Sequence, residues 1–469
     1  MNRKQSIAED MKSPQLPFIQ HAYNFYNTRR SQPRLLRILA AIFIISFCYI
    51  LTMNTMNPPS WSPKSDMSTE AETSFESKTQ EVELGGHKKD KVFQETLEEA
   101  EKKQSRPASS KSGYDDKAAN SLRFEAGLKH ILTTAPDEIH VRELLSPIEG
   151  SGKERLRETG VRARAFRTMF EPWEALHVVS SDKATYVRDD VLSYLRKADD
   201  LSSITTTMSR AEMIRAYENY RFFLTRLSAL LFPWTAPYFA DHMTLHAHLR
   251  NGERGIVLSA SDAQLHYILT SIKSFRKLGC ILPIEIMYLG DEDLGDDSRS
   301  ALEALPGVFT RDMKQMVNDQ GWDLKGWAGK PFAILLSSFR EVIFIDADAL
   351  FFRNPEVLFE DPGYVETGAL FFRDRLMFPE SKKKWLQQIL PKPVSKNVRQ
   401  SRLWTGESGH MQESGVVVVD KWKHFMALLM VTRMNGPDRD GDKERGIVGT
   451  YDMVYGMHTL TPCRCHFLY

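Results

Sequence analysis

The spacing of apolar residues divides the chain into regions that predict different kinds of structure. From residue 121 onward apolar residues recur at helical spacing, most clearly in the run Met208 to Leu231, which Pro233 ends. From Gly255 the pattern becomes one of short apolar runs that alternate with helical stretches. Strands that alternate with helices predict an α/β fold with a mostly parallel sheet and right-handed crossovers.

Within the α/β region, β-branched and aromatic runs indicate strands, and longer periodic runs indicate helices. The predicted strands are Gly255–Ser259, Ile284–Leu289, Val342–Ile345 and Val416–Val419. The predicted helices of this region are Ala263–Leu278 and Lys330–Phe339. Shorter helices are expected before it, at Leu192–Leu195 and Thr244–Leu249.

The N-terminal region contains a run long enough to cross a bilayer. Leu35 to Met53 is apolar apart from Arg37, Ser46 and Thr52, and about 20 apolar residues span a membrane as a helix. Arg29, Arg30 and Arg34 lie just before this run, and Arg37 lies near its start. This positive-inside bias predicts a single-pass type II signal anchor, with residues 1–34 in the cytosol and the rest lumenal.

After the anchor the composition shifts to Ser, Thr, Glu, Lys and Pro, with few apolar residues. Such a segment cannot bury enough surface to offset the entropy of ordering, so residues 54–120 are expected to form a disordered stem. The expected boundaries beyond the stem are 121–250 for a helical part of the lumenal region and 251–456 for a catalytic domain. Residues 457–469 form a tail without periodicity or turn chemistry.

The charge balance and the cysteine count argue against two classes of protein, nucleic-acid binders and disulfide-stabilised scaffolds. The chain has 62 basic and 61 acidic residues and no concentrated basic face, so nucleic acid is not an expected partner. Its four cysteines are too few for a disulfide framework.

His242 and His246 have the spacing of zinc ligands on one helix face, with His248 nearby. Because no nearby glutamate is arranged as a base, ordinary interface histidines are the favoured interpretation.

The candidate chemistry lies where the predicted strand Val342–Ile345 stops at Asp346 and Asp348. Burying two like charges at a strand end is costly unless a cation or hydrogen bonds compensate. Carboxylate oxygens suit Mg²⁺ or Mn²⁺, which usually keep coordination sites for substrate phosphates. Because open α/β sheets bind ligands at the carboxyl ends of their strands, the pair predicts a nucleotide-phosphate site.

Five blocks, in this order, resemble the fungal Mnn1-type α-1,3-mannosyltransferase family: Gly255–Ser259, Leu282–Gly290, Gly329–Phe339, Asp346–Asp348 and Glu413–Lys421. The resemblance covers roughly Ala211 to Gly456. It implies a type II Golgi membrane enzyme with a Rossmann-like GT-A fold behind the transmembrane helix and stem. It further implies a hexosyltransferase that uses GDP-mannose and Mn²⁺ (or Mg²⁺) and retains the anomeric configuration.

The resemblance also implies roles for the residues at and near the carboxylate pair. Asp348 would ligate the metal directly, and Asp346 would lie nearer the ribose or support the metal from its outer shell; both are candidate metal ligands and catalytic residues. Lys330 would reach the diphosphate, the alternative being a solvated lysine at a helix start. The guanosine is expected at Ser259, Ala260 and Asp262. The alternative is a plain turn in which Asp262 caps the next helix.

The donor mannose is expected at Gln412, Glu413, Ser414 and Gly415. Glu413 is the candidate nucleophile for a double displacement, but front-face attack assisted by the leaving phosphate is the favoured route to retention. The candidate sugar-stacking residues are Trp322, Trp327 and Trp404, for which burial in the core is the alternative. His410 is a further candidate for substrate contact.

The C-terminal tail departs from the family pattern. Tyr451–Gly456 is intact, but the family's continuation does not follow, which suggests a C-terminally truncated chain. Three functions are therefore weighed. The first is Golgi mannosyl transfer to a glycoprotein mannan or an N- or O-glycan, with a Golgi mannosyltransferase complex as a candidate partner. The second is an inactive homologue that binds nucleotide sugar or glycan without turnover. The third, a haloacid-dehalogenase-type phosphatase, is disfavoured because earlier strands precede the Asp-Ala-Asp triplet.

Overall fold

The computed structural model describes residues 91–102, 113–134, 136–150, 152–181, 184–235, 239, 241–376, 383–407, 410–436 and 466–467. The predicted cytosolic tail, the anchor at Leu35–Met53 and the Tyr451–Gly456 block lie outside these residues. No helix within the described ranges has the length and apolar character needed to cross a membrane.

Helices precede and flank the sheet. In chain order they are α1 (91–102), α2 (Gly113–Thr134), α3 (Glu138–Leu145), α4 (Lys153–His177), α5 (Val191–Lys197), α6 (Arg210–Leu231), α7 (His242–Arg250), α8 (Leu265–Lys277), α9 (Asp296–Glu303), α10 (Gly329–Leu336), α11 (Pro362–Thr367), α12 (Lys383–Ile389), α13 (Lys396–Gln400), α14 (Arg402–Thr405) and α15 (Phe425–Asn435). Short 3₁₀ helices lie at Pro233–Thr235, Asp262–Gln264, Met313–Gln315, Gly326–Ala328 and Pro355–Glu360.

The strands are β1 (Val178–Ser180), β2 (Thr185–Val187), β3 (Arg254–Ser259), β4 (Ile284–Tyr288), β5 (Val308–Asp312), β6 (Glu341–Ile345), β7 (Ala369–Leu376), β8 (His410–Asp420) and β9 (His466–Phe467). β1 and β2 form an antiparallel pair. The other described strands form one sheet in the order β5-β4-β3-β6-β8-β7-β9. β9 falls in the segment expected to lack periodicity and pairs with β7.

The helical region forms because amphipathic helices with clear start and stop signals bury one face each. Helix α6 begins at a capping box in which Ser209 and Glu212 bond to each other's backbone N–H groups, and it ends just before Pro233. The prediction of a disordered segment is wrong for residues 91–102 and 113–120. Phe93 of α1 is buried there, and α2 begins before residue 121.

The sheet is mixed, with parallel and antiparallel pairs of strands. β3 pairs parallel with both β4 and β6, and β4 pairs parallel with β5. β8, by contrast, runs antiparallel to both β6 and β7. β8 is also longer than the predicted Val416–Val419, because a polar stretch at its start hid that half of the strand from the hydrophobic pattern.

Both faces of the sheet are buried, which explains the continuous apolar runs of its strands. Val342 and Phe344 of β6 face one side and join the core formed with the helical region. Ile343 and Ile345 face the other side and pack in the core that includes α8. Gly255 of β3 is required by close packing, since a Cβ there would lie 2.4 Å from the ring of Phe339.

The order of the strands places a ligand-binding edge between β3 and β6. Starting from β3, the chain first adds β4 and β5 on one side and then returns to add β6 on the other. Open α/β sheets bind ligands at such a switch point, outside the carboxyl ends of the strands. The register pairs Val257 with Phe344, so the ends of β3 and β6, after Ser259 and Ile345, lie side by side.

Candidate active site at the carboxyl edge of the sheet

A tight turn after β6 carries the two aspartates. The Asp346 N–H donates to the Gly415 carbonyl at 2.7 Å, and the Ala349 N–H donates to the Asp346 carbonyl at 3.0 Å. The small residue between the aspartates is buried, and its carbonyl accepts from the Ser271 hydroxyl at 3.2 Å. This turn leaves Asp346 half-buried and Asp348 exposed at the edge of the sheet.

Lys330 points from the start of α10 into the same edge. Its Nζ lies 2.6 Å from Asp346 Oδ2 and 3.5 Å from Ser414 Oγ. The Lys330 side chain is only 12% exposed and that of Asp346 28%. The alternative of a solvated lysine at a helix start therefore does not hold.

Glu413 is held in place by its own strand. Its Oε1 accepts from the Gly415 N–H at 2.7 Å, and its Oε2 accepts from the Val416 N–H at 3.0 Å. A Cβ on Gly415 would lie 3.0 Å from Glu413 Oε1 and 3.4 Å from Asp346 Oδ2. The two carboxylates thus approach each other across a position that has no side chain.

The charges at this edge are unbalanced. Burial raises the pKa of Asp346 above its usual value; Lys330 opposes this shift, while Glu413 and Asp348 add to it. The group of these four residues contains three carboxylates and one ammonium. Because Glu413 and Asp348 disfavour ionisation of Asp346, the cluster favours binding of a further cation.

The two aspartates fit a hard divalent cation, although they are too few to surround one. Their oxygens are the donors that Mg²⁺ and Mn²⁺ prefer, and the excess of negative charge at the cluster favours such an ion. Across the described ranges, no group of three or more His, Cys, Asp or Glu side chains is arranged as a metal site. Mg²⁺ commonly takes its remaining ligands from water and substrate phosphates, which suits a site of this kind.

The end of β3 and the start of β8 offer polar atoms without protein partners. Within the part of the chain that the structure describes, Ser259 Oγ and Gln412 Oε1 are buried and make no hydrogen bond. Buried polar atoms are normally paired, so these two are candidates for ligand contacts. Ala260 offers no free amide, since its N–H donates to Met287 O at 3.0 Å.

The turn interpretation expected Asp262 to cap the helix that follows it, but its side chain binds a different segment. Its Oδ1 accepts from the Gly295 N–H at 3.1 Å, where Gly295 precedes helix α9. A hydrogen bond with Ser298 and then that amide lower the pKa of Asp262. Asp262 therefore links β3 to the loop before α9 instead of capping the helix that follows it.

The candidate aromatic residues separate into packed and exposed ones. Trp322 packs against Phe332 with ring centroids 5.7 Å apart, and Trp404 is partly buried among apolar neighbours. Trp327 is exposed. His410 lies at the start of β8.

The histidines of α7 are interface residues, as favoured from the sequence. The His242 ring lies 2.6 Å from the Thr235 hydroxyl. The His246 ring stacks on Trp422 at 3.8 Å between centroids and lies 3.2 Å from a Glu174 oxygen. Both histidines are buried between elements of the core.

Some contacts of the site had no signal in the sequence. The contact between the Asp346 N–H and the Gly415 carbonyl depends on how β8 pairs with β6. The pairing of Lys330 with Asp346 joins a helix start to a strand end. The polar start of β8 was the one available hint, because it interrupts an otherwise apolar strand.

Known proteins that match this chain in sequence are named as mannosyltransferases. Residues 253–453 match the family described as "Mannosyltransferase putative". The chain is 30% identical over 239 residues to "Putative alpha-1,3-mannosyltransferase MNN14" of Candida albicans, covering 44% of this chain and 35% of that protein. It is 27% identical over 221 residues to alpha-1,3-mannosyltransferase MNT2 of Saccharomyces cerevisiae, covering 39% of each. The chain thus spans little more than a third of the length of these relatives.

Among solved structures, the galactosyltransferase LgtC in complex with donor and acceptor sugar analogues matches with a TM-score of 0.28 at 12% identity, covering 44% of this chain and 70% of that one. A TM-score of this size does not establish a shared fold. The sequence matches are more informative, because the family match spans β3 to β8 and includes Asp346, Asp348 and Glu413. Residues 253–453 match this mannosyltransferase family, and the predicted resemblance to the Mnn1-type α-1,3-mannosyltransferases is confirmed.

Proposed function

We propose that this chain transfers mannose from GDP-mannose to a mannose hydroxyl of a glycoprotein glycan, with retention of configuration and formation of an α-1,3 linkage. The observation that carries the proposal is the cluster of Asp346, Asp348, Glu413 and Lys330 at the switch point of the sheet. The relatives' names support mannose as the transferred sugar. The order of the parallel strands supports a GT-A arrangement, in which a nucleotide lies across the ends of β3 and β6.

The nucleotide has suitable partners on both strands. Ser259 Oγ is a buried hydroxyl that retains both its donor and its acceptor capacity for a nucleoside. Lys330 supplies a buried ammonium, which hydrogen-bonds strongly to phosphate oxygens. A bound diphosphate would place its negative charge beside this ammonium and thereby compete with Asp346 for it.

Asp346 and Asp348 would hold a divalent cation, Mn²⁺ or Mg²⁺. Such a cation, when bound, stabilises negative charge that develops on a leaving diphosphate. Asp348 is exposed and therefore accessible, whereas Asp346 is already paired with Lys330. This difference supports Asp348 as the main ligand and Asp346 as the residue that orients Lys330 and the turn.

The geometry of Glu413 favours front-face attack over a double displacement. Both of its oxygens accept backbone N–H groups, which stabilise the carboxylate and lower its reactivity as a nucleophile. In the proposed reaction the bond between the mannose anomeric carbon and the phosphate oxygen breaks, and the acceptor oxygen bonds to the same face of that carbon. The acceptor proton passes to a phosphate oxygen of the departing GDP. Glu413 and Gln412 orient the hydroxyls of the donor sugar.

The cellular setting is part of the same proposal. The arginine-flanked run at Leu35–Met53 supports a single-pass type II anchor, with the domain in the Golgi lumen. The acceptors would then be a mannan or an N- or O-linked glycan of a secretory glycoprotein. A complex with other Golgi mannosyltransferases is a further proposed partner.

The test is transfer by the full chain in detergent, with GDP-mannose as donor, methyl α-mannoside as acceptor and Mn²⁺ present. The expected product is a mannosyl-α-1,3-mannoside, identified by NMR, which no longer forms when EDTA is added. UDP-galactose and UDP-glucose serve as matched donors and should give little product. Equal use of the three donors would overturn the choice of GDP-mannose. Binding of GDP-mannose without any transfer would favour the non-catalytic alternative.

A further inference from the structure

Among the three candidate sugar-stacking tryptophans, Trp327 is the one whose indole is exposed to solvent. It is 63% exposed, whereas Trp322 packs on the core and Trp404 is partly buried. A single exposed aromatic residue needs no explanation by itself, so its place beside the charged cluster is what suggests a ligand. Gly326 allows the chain to turn just before Trp327, because its φ of +56° is a conformation that favours glycine.

The position of Trp327 ties it to the candidate active site. The 3₁₀ turn Gly326–Ala328 runs directly into helix α10, which begins at Gly329. Trp327 therefore precedes Lys330 by three residues, about one helical turn. The Lys330 ammonium lies 2.6 Å from Asp346. The indole is thus carried on the same rigid element as a residue of the charged cluster.

We propose that Trp327 is the platform on which the acceptor sugar binds. One face of a mannose ring carries C–H groups, which pack on the electron-rich face of an indole, while the hydroxyls at its rim remain free for attack. This inference rests on the proposed mannosyl transfer and adds a residue that determines acceptor recognition. It assigns acceptor binding to the 3₁₀ turn before α10, and donor binding to the ends of β3 and β6 and the start of β8.

A second exposed aromatic residue, Phe352, is the alternative candidate for acceptor binding. Phe352 is 96% exposed in the loop that follows Asp348, and Leu350 beside it is also exposed. Trp327 is favoured because its backbone is fixed in a helical turn and its ring is larger. Phe309 provides a matched control: it is 56% exposed but lies near the amino end of β5, at the opposite edge of the sheet.

The experiment compares full-length Trp327→Ala, Trp327→Phe, Phe352→Ala and Phe309→Ala with the wild-type chain. Trp327→Ala should raise the acceptor KM about three- to tenfold, the range expected for loss of an aromatic contact. The donor KM and the slow hydrolysis of GDP-mannose without acceptor should be unchanged. Trp327→Phe should restore part of the acceptor KM, and Phe309→Ala should behave as wild type. A role that is only structural would instead alter donor KM and hydrolysis as well.

Acceptor binding is measured separately from turnover, by saturation-transfer NMR with methyl α-mannoside. The wild-type chain should show transfer to the sugar C–H protons that Trp327→Ala loses. An unchanged acceptor KM and NMR signal in Trp327→Ala would overturn the inference, as would a raised KM in Phe352→Ala alone. If the wild-type chain transfers no mannose but binds the mannoside through Trp327, the proposed function fails and the platform stands.

Discussion

The helical region and the carboxyl edge of the sheet both contain buried titratable groups, but the two regions differ in charge. Two buried histidines of the helical region are neutral, whereas carboxylates lie close together at the edge of the sheet. His177 of the helical region has its Nδ1 2.9 Å from the Arg188 carbonyl and its Nε2 3.2 Å from the Tyr217 hydroxyl. Burial lowers its pKa to about 4. His242 likewise has a pKa lowered to about 4 by burial. These histidines are neutral and have partners at neutral pH.

The sheet edge instead gathers like charges. Asp346, Asp348 and Glu413 influence one another around the ammonium of Lys330, and burial raises the pKa of Asp346. Selection for stability alone favours neutral, paired groups such as His177 and His242. A cluster of carboxylates at a strand end is better explained by a ligand that completes its charge balance. Changes to the edge should therefore reduce transfer more than stability, and changes to the helical region should do the reverse.

The largest effect is expected for Asp348→Asn. This change keeps the shape of the side chain but removes the exposed negative charge that would hold a cation against the diphosphate. Transfer should fall on the order of 10²–10³-fold, as when one electrostatic group of a transition-state site is lost. The measurement is kcat/KM for GDP-mannose across a Mn²⁺ titration.

The control for this prediction is Asp297→Asn, which removes the charge of an exposed aspartate in α9. It should leave both transfer and the unfolding midpoint close to the wild-type values. If Asp348→Asn retained full transfer with the same Mn²⁺ dependence, the assignment of the carboxylate pair would be wrong.

Lys330→Met should have the next largest effect. Methionine keeps most of the aliphatic stem but removes the ammonium that is placed 2.6 Å from Asp346. A charged hydrogen bond to the diphosphate is worth about 1.5–3 kcal/mol, so GDP affinity should fall on the order of 10–10²-fold. Calorimetric titration of GDP in the presence of Mn²⁺ measures this directly.

Lys325→Met is the matched control, because Lys325 is largely exposed and pairs with Asp323 at 2.9 Å. It should bind GDP as the wild type does. Equal affinity of Lys330→Met and the wild type would show that Lys330 has a structural role in balancing the charge of Asp346 and makes no contact with the nucleotide.

Burial decides which parts of this fold could be predicted from sequence. β3, β4 and β6 are buried on both faces, so their apolar runs stand out and the predicted bounds agree closely with the observed ones. β5 went unpredicted because its residues after Val308 are exposed or only half-buried, as expected at the outer side of a sheet. The start of β8 is polar because it faces the site, so the hydrophobic pattern failed where function is proposed.

The candidate site likewise contains features that the sequence predicted and features that it did not. The Asp346–Asp348 pair was predicted because the carboxylates interrupt an apolar strand within a single stretch of sequence. The contact between the Asp346 N–H and the Gly415 carbonyl depends on how two antiparallel strands pair, which no local pattern indicates. The exposure of Trp327 likewise depends on which of several tryptophans the core accommodates.

A smaller effect is expected from the buried histidines, and it concerns stability. An unfolded histidine titrates near 6.5, whereas His177 and His242 titrate at about 4 in the folded chain. As the pH falls, the unfolded state therefore takes up protons first, and stability is lost between pH 6.5 and about 4. Each histidine should contribute about 1.4 kcal/mol per pH unit within this window.

The measurement is urea unfolding of the full chain at several pH values between 7.5 and 5. His242→Gln should be less stable at pH 7.5, because it disturbs a packed core, but its stability should decline less steeply as the pH falls. A slope that is unchanged in His242→Gln would show that other groups govern the acid sensitivity.

The smallest effect is expected for Gly415→Ala, which tests the site without removing any charge. The added methyl group would lie 3.0 Å from Glu413 Oε1 and 3.4 Å from Asp346 Oδ2, so both carboxylates must move by a few tenths of an ångström. Transfer should fall about three- to tenfold, since small misplacements of positioned groups reduce rates more than stability. Gly295→Ala is the matched control, because its methyl group would meet an Asp262 oxygen at an ordinary 3.5 Å. If both variants transferred mannose at the wild-type rate, the position of Glu413 would not limit the reaction, and the cluster would act through its charge alone.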